Sequence, residues 1–127
     1  MAQVANMLLK NYANVDVTFA PDIVRTGEYA KYADRSQGSF IGTAYASITR
    51  KINPAANGTR KIQAKLVYPV VDTTTGLLKY QLLGTVEAVT PNASTLAEKR
   101  ELYARLVALV GNAVFGSAVK DDEMPWG

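Results

Sequence analysis

The sequence predicts an α+β fold: an N-terminal β-hairpin, then an antiparallel meander sheet, then two C-terminal helices covering one face of that sheet. Three observations carry this expectation. Between Ser39 and Val89 three stretches alternate with period two, the mark of half-buried strands. Short turn-forming segments separate those stretches, which makes successive strands antiparallel neighbours. From Thr95 onward the apolar spacing changes to three and four residues, which is helical. The 127 residues are expected to form a single domain divided into a hairpin (1–21), a sheet (22–89), helices (94–120) and a tail (121–127), long enough to bury a core without staples.

Taken in order, residues 3–10 and 14–20 form two short apolar runs joined by Lys10-Asn11-Tyr12-Ala13-Asn14, and Asp16-Val17-Thr18-Phe19 alternates cleanly, so the pair reads as a hairpin. Pro21 is expected to end it, because proline cannot donate to a ladder. A short strand is placed around Glu28–Tyr32. The next strand covers Ser39–Ile52, with Phe40, Gly42, Ala44, Ala46 and Ile48 on one face and Tyr45, Ser47, Thr49 and Lys51 on the other. In the Asn53–Gly58 loop, Asn57-Gly58 is expected to supply positive φ values.

The central strand begins at Thr59 and runs to about Val71, with a bulge or an edge expected near Pro69. It sets Arg60, Ile62, Ala64, Leu66 and Tyr68 against Lys61, Gln63, Lys65 and Val67. After the tight turn Thr73-Thr74-Thr75-Gly76, the last strand (Leu77–Val89) sets Leu78, Tyr80, Leu82, Gly84, Val86 and Ala88 against Lys79, Gln81, Leu83, Thr85 and Glu87.

Thr90-Pro91-Asn92-Ala93 breaks that strand, and Ser94 or Thr95 caps a helix; Thr95 with Glu98 three residues on matches a capping box. Gly111-Asn112 interrupts, and Ala113–Val119 makes a second, shorter helix. Only Glu98, Lys99, Arg100, Glu101 and Arg105 give the first helix a polar side, and beyond Arg105 the chain is almost wholly apolar to Val119. Half of one small sheet offers too little surface to bury such a pair. A homodimer in which Leu102, Tyr103, Leu106, Val110, Val114 and Phe115 pack on a partner would supply the rest.

Composition removes several function classes. No Cys means no disulfide, no Cys-bearing zinc site and no thiol nucleophile. No His removes the commonest general base and metal ligand. The glycines form neither a phosphate-binding loop nor a dinucleotide fingerprint. Asp121-Asp122-Glu123 reads as a solvated charge run rather than a metal site. No paired carboxylates are evident, since Glu87 stands alone on its strand face. An enzyme is not expected, nor a cofactor, a metal or a small-molecule substrate. No secretory h-region is read near the start and no apolar run approaches the ~18 residues of a membrane span, so a membrane partner is not expected and the protein is read as soluble and kept inside a cell or something assembled there. The sequons at Asn57 and Asn92 are accordingly read as turn and cap chemistry.

The net charge of +3 is modest but segregated: no Asp or Glu falls between Asp34 and Asp72, where Arg35, Arg50, Lys51, Arg60, Lys61 and Lys65 lie. Two readings fit this interval, a surface for a polyanion and a merely solvated strand face, and charge alone does not separate them. Pattern adds to the first. Lys51, Lys61, Lys65 and Lys79 can meet phosphates, while Ser47, Thr49, Gln63, Gln81 and Tyr45 can meet base edges, a combination suited to single-stranded RNA or a hairpin with unstacked bases.

The order of short hairpin, antiparallel meander and two C-terminal helices resembles the coat proteins of single-stranded RNA bacteriophages, the leviviruses. Local matches are Asp16-Val17-Thr18-Phe19-Ala20-Pro21 at the hairpin, Arg60-Lys61-Ile62-Gln63-Ala64-Lys65-Leu66-Val67-Tyr68-Pro69 in the central strand, and Ser94-Thr95 followed by Glu98, Leu102, Leu106 and Leu109. The resemblance implies an intertwined homodimer, its two sheets joined into one surface facing the interior of an icosahedral capsid and its helices crossing onto the partner's sheet outside. It implies that the inner surface binds genomic RNA and, in many members, a stem-loop whose capture directs packaging and represses translation. It places the protein in the virion, assembled in the bacterial cytoplasm.

By this similarity Lys61 and Lys65 match RNA-contacting lysines, and Gln63 stands where a small hydroxyl residue is usual. Ser47 and Thr49 match a hydroxyl row, and Lys79 and Gln81 fall at an aromatic and an amide position. Three departures stand out. Lys79 replaces the stacking aromatic unless Tyr80 or Tyr45 takes that role, Val67 replaces a common acidic residue, and the Asp72–Gly76 connection is much shorter than the family's loop. A cellular RNA-binding dimer that builds no shell is the alternative, and an assembly protein indifferent to RNA is the third reading.

Overall fold

The computed structural model describes residues 6–36 and 41–124. The first residues of the expected hairpin, the Ser39-Phe40 start of the third expected strand and residues 125–127 lie outside the described residues. Among the described residues, six antiparallel strands follow one another across a single sheet in sequence order: β1 (Met7–Lys10), β2 (Asp16–Arg25), β3 (Tyr29–Asp34), β4 (Ala44–Ile52), β5 (Thr59–Val71) and β6 (Leu78–Pro91). Helices α1 (Leu96–Val110) and α2 (Ala113–Lys120) complete the chain. The α+β class, the hairpin, the meander and the helix pair are those expected.

The first correction concerns Pro21, which does not end its strand. β2 continues to Arg25, with Pro21 opposite Tyr32 and a register shift between Pro21 and Ile23. Described pairing with β1 stops at Met7 opposite Phe19, so beyond that point β2 is laddered to β3 alone, an edge position that tolerates a missing donor. The irregularity has a structural use. It bends β2 so that its first half, with β1, folds back over the sheet. Met7 pairs with Phe19 and Leu9 with Val17, placing four apolar side chains on one face of the hairpin. That face packs against the buried Ala44 and Ala46 of β4 and the flanking Tyr32, with Phe19 itself 5% exposed.

The third expected strand starts later than its alternation suggests. Ala44 pairs with Asp34, the last residue of β3, so the ladder has no earlier partner, and Ile41-Gly42 lie in a turn instead. The role expected of Asn57-Gly58 is also corrected. Neither residue has a positive φ; among the described residues those values fall at Asn14, Gly27, Gly76 and Asp122. Gly58 is required for space, because a Cβ there would lie 2.5 Å from the Asn53 carbonyl oxygen. Asn92 ties the same loop to the end of β6, its Nδ2 donating to the Asn53 and Ala55 carbonyls at 2.6 and 2.8 Å. Near the far end of β5, the register shift between Val70 and Val71 is the bulge that Pro69 foretold.

The expected capping box is present: Thr95 Oγ1 accepts from the Glu98 N–H, and the Glu98 carboxylate accepts from the Thr95 N–H at 2.8 Å. Both bonds hold the Glu98 carboxyl below its ordinary pKa. A depressed carboxylate contributes stability above its unfolded-state pKa and loses it as pH falls through the folded value. The protection of first-turn amides of α1 against exchange, corrected for the intrinsic pH dependence of the exchange chemistry, is therefore expected to fall on acidification through that range, and Glu98→Gln to remove the dependence. Protection that does not change with pH in the intact protein would exclude the box as its cause.

Gly111-Asn112 breaks the helix as expected, with the Asn112 side chain capping α2 through Val114 N–H and the two axes bent by 49°. No single described helix is long and apolar enough to cross a membrane. The helices pack on each other and make no substantial contact with their own sheet, and no residue of either is buried. The covering expected of them is not made by the same subunit.

Candidate nucleic-acid interface

Pairing register decides which side chains share a surface. From β3 to β6, Lys31, Ser47, Lys65 and Thr85 stand opposite one another in one row. The next row is Tyr29, Thr49, Gln63 and Glu87, and beyond it Lys51 faces Lys61. On the other side of the first row lies Ala33, Tyr45, Val67 and Leu83. Directly opposed residues in an antiparallel sheet lie about 5 Å apart and successive same-face rows about 7 Å apart, so these rows make one contiguous patch.

Tyr45, Ser47, Thr49, Lys51, Lys61, Gln63 and Lys65, all expected from alternation, are thereby brought together on one face. Gln81 lies on the same face at the patch's margin, opposite Pro69 in the row next to Val67 and Leu83. One expected residue is not brought in. Lys79 stands at the bulge, passed over by the ladder that pairs Tyr80 with Val70 and Leu78 with Val71, and its Nζ lies 5.5 Å from the Tyr80 ring centroid.

The patch also holds residues that reading single strands does not bring in. Tyr29 and Lys31 enter because β3 pairs with β4, and Lys31 Nζ sits 4.0 Å from the Tyr45 ring centroid. That is a cation–π contact in which the ring remains part of the surface. Thr85 extends the lysine row. Glu87, solitary on its own strand, comes diagonally beside Lys61, with 3.4 Å between carboxylate and ammonium. Lys51 and Lys61 face each other as like charges, which is unfavourable, and Glu87 offsets part of that repulsion. The result is a graded field: the Lys61 end is partly neutralised, while Lys65 has no ion-pair partner among the described residues.

Neighbouring Arg50 has a different role. It points to the other face, its Nε donating to the Gly27 carbonyl at 2.8 Å and its backbone N–H to the Glu28 carbonyl at 2.7 Å. It pins the β2–β3 turn to β4. No cluster of acids able to hold a metal occurs among the described residues.

The reverse face has the opposite problem. Ile48, Ile62, Leu66, Tyr68, Tyr80 and Leu82 are between 38% and 54% exposed, more than the flanking side chains Lys61, Gln63 and Val67 of the polar face, which are half-buried. Of the residues expected at a dimer interface, Tyr103 is 70% exposed, Leu102, Val110, Val114 and Phe115 are also exposed, and Leu106 is half-buried. A bare apolar sheet face and a bare apolar helix pair on one subunit form a larger patch than monomeric proteins leave in water.

A family model described as Levivirus coat protein matches residues 2–126. Among solved structures, the chain is similar to the virus-like particle of Beihai levi-like virus 21, with TM-score 0.88 and 21% identity over 99% of this chain and 100% of that one. It is also similar to the virus-like particle of bacteriophage NT-214, with TM-score 0.80 and 27% identity over 98% and 100%. A third likeness is to the bacteriophage GA protein capsid, with TM-score 0.72 and 18% identity over 96% and 97%. No curated protein matches the sequence.

Proposed function

The chain belongs to the levivirus coat protein family, and from that premise we propose that it pairs into intertwined homodimers whose shell encloses single-stranded RNA held against the polar sheet face. Its capsid role, structural rather than enzymatic, and its place in the virion follow from the family. Dimerisation, RNA binding, packaging and translational repression are the finer parts of the proposal.

The observation that carries the reading is the division of one sheet into two unlike faces. One gathers Lys31, Lys51, Lys61 and Lys65 among Ser47, Thr49, Gln63 and Tyr45. The other leaves Ile48, Ile62, Leu66 and Leu82 without cover in a subunit whose own helices stand apart. Lysines spaced along strands suit a phosphate backbone, and the interleaved hydroxyl, amide and aromatic groups suit unstacked bases. Apolar helices crossing from a second copy would cover the reverse face, leaving the polar face as the dimer's open surface. A stem-loop bound there would mark the genome for packaging and block translation of the message carrying it.

Expression of the chain alone tests this. The expected result is particles tens of nanometres across by electron microscopy, with an ultraviolet absorbance ratio showing enclosed nucleic acid. Discrete dimers that bind RNA but stay unassembled at high concentration would instead support a cellular regulator, and empty shells would remove RNA from the proposal.

A further inference from the structure

The Asn57-Gly58 pair carries a chemistry that its place in the loop between β4 and β5 holds in check. Of the asparagines in the sequence, Asn57 alone is followed by glycine. Glycine has no Cβ, so its amide nitrogen can approach the preceding side chain with least hindrance. In the folded chain three features oppose that approach. The Gly58 N–H donates to the Ala55 carbonyl at 2.9 Å, which favours the neutral amide over its anion. Gly58 is buried, which keeps away the water or hydroxide that would take its proton. Its seat has no slack, since a Cβ would stand 2.5 Å from the Asn53 carbonyl oxygen and 3.0 Å from that of Ala55.

One residue outside the loop closes it. Asn92, at the corner between β6 and α1, donates its backbone N–H to the Gly58 carbonyl at 3.0 Å. Its Nδ2 donates to the Asn53 and Ala55 carbonyls. Ala55 therefore accepts from both Asn92 and Gly58, so the Asn92 side chain positions the carbonyl that holds the Gly58 amide. This closure is incomplete. Asn92 Oδ1 is buried with no hydrogen-bond partner among the described residues, a cost that offsets part of what the donated bonds contribute.

We propose that Asn57 is a deamidation site gated by Asn92, silent while the corner is closed and reactive when it opens locally. On opening, water or hydroxide takes the Gly58 amide proton, and the nitrogen attacks Asn57 Cγ. A bond forms between them, and the bond from Cγ to Nδ2 breaks, the departing nitrogen taking up a proton and leaving as ammonia. Water then opens the five-membered imide at either carbonyl. One product carries aspartate at position 57; the other carries isoaspartate, whose main chain runs through Cβ and is one atom longer. The sum is one water consumed and one ammonia released, with no oxidant or reductant. Either product adds a negative charge. Isoaspartate also lengthens a loop whose glycine seat tolerates no displacement, so the corner is not expected to close over it again.

Peptide mapping by mass spectrometry, after incubation of the whole chain at mildly alkaline pH, tests this. In denaturant, Asn57 is expected to convert well ahead of Asn11, Asn14, Asn92 and Asn112. In the folded protein it is expected to lose that lead. Asn92→Ala removes two donated bonds and is expected to raise the folded-state rate at Asn57 about tenfold, while Asn11 in the hairpin turn keeps its rate. Amide exchange gives an independent measure: the Gly58 amide of the unsubstituted protein is expected to be protected by a factor similar to the slowing at Asn57.

A folded, unsubstituted protein whose Asn57 converts as fast as in denaturant would overturn the gating. So would a folded Asn92→Ala variant that is no faster, or one in which Asn11 accelerates in step with Asn57, since that marks global unfolding. If the variant does not fold, the exchange measurement decides alone, and an unprotected Gly58 amide in the unsubstituted protein overturns the proposal.

Discussion

Replacing Lys61 and Lys65 together by alanine is expected to weaken single-stranded RNA binding across all sequences and to flatten its salt dependence. Each phosphate that a lysine no longer neutralises takes about 0.7 to 0.9 off the slope of log affinity against log salt. The pair should therefore reduce the slope by about 1.4 to 1.8, measured by fluorescence anisotropy over a salt series. The two contributions should be unequal. The Lys61 ammonium is already 3.4 Å from Glu87 and must leave or share that carboxylate to bind a phosphate. Lys65 lies between Ser47 and Thr85 with no such competitor among the described residues. Lys65→Ala alone should account for most of the weakening, and Glu87→Gln should raise affinity. Neither lysine side chain is buried, so thermal stability should be nearly unchanged. An unaltered slope in a folded double variant would place the phosphate-binding groups elsewhere.

The second large effect is expected at Leu106. Truncation to alanine should cost about 2 to 5 kcal/mol, the range for a leucine in a packed core, although the side chain is only half-buried in one subunit. The cost should appear in the dimer, because α1 and α2 scarcely touch their own sheet and the cavity would open only where a partner packs. Denaturant midpoints followed over a range of protein concentration separate the two cases. A shift present where the protein is dimeric and lost where dilution leaves it monomeric places Leu106 in the interface. A variant whose dimer dissociates as the parent does would exclude it.

Much of this fold is legible along the chain because local rules decide it. Period-two alternation in Thr59–Val71 assigned Lys61, Gln63 and Lys65 to one face, and β5 keeps that division. The Thr95–Glu98 capping box begins α1 where that pattern places it. Gly111-Asn112 ends it, and Pro69 marks the irregular end of β5. Each signal acts within a few residues, so neighbours in sequence suffice to read it.

The interface is legible only in part, because its composition depends on register. Lys31 joins Ser47, Lys65 and Thr85 through three successive strand pairings, and no single strand carries that information. Glu87 reads as solitary until the β5–β6 ladder sets it beside Lys61. Alternation likewise assigned Lys79 to the polar row, where a bulge removes it. Gly58 was expected for its dihedral freedom and is needed for clearance from the Asn53 carbonyl earlier in the same loop.

What the sequence by itself determined is the kind of each element, the two chemistries of the sheet and the surplus of apolar surface in the helices. These are sums of short-range preferences and burial, and they survive any arrangement of the parts. Tertiary structure decided which rows align, that the hairpin folds back over Ala44 and Ala46 at the bend after Pro21, and that the helices leave their own sheet uncovered. Those outcomes follow from pairing register, a local break in one ladder and the direction in which the chain leaves β6. Each is a relation between distant residues, fixed only when the strands meet.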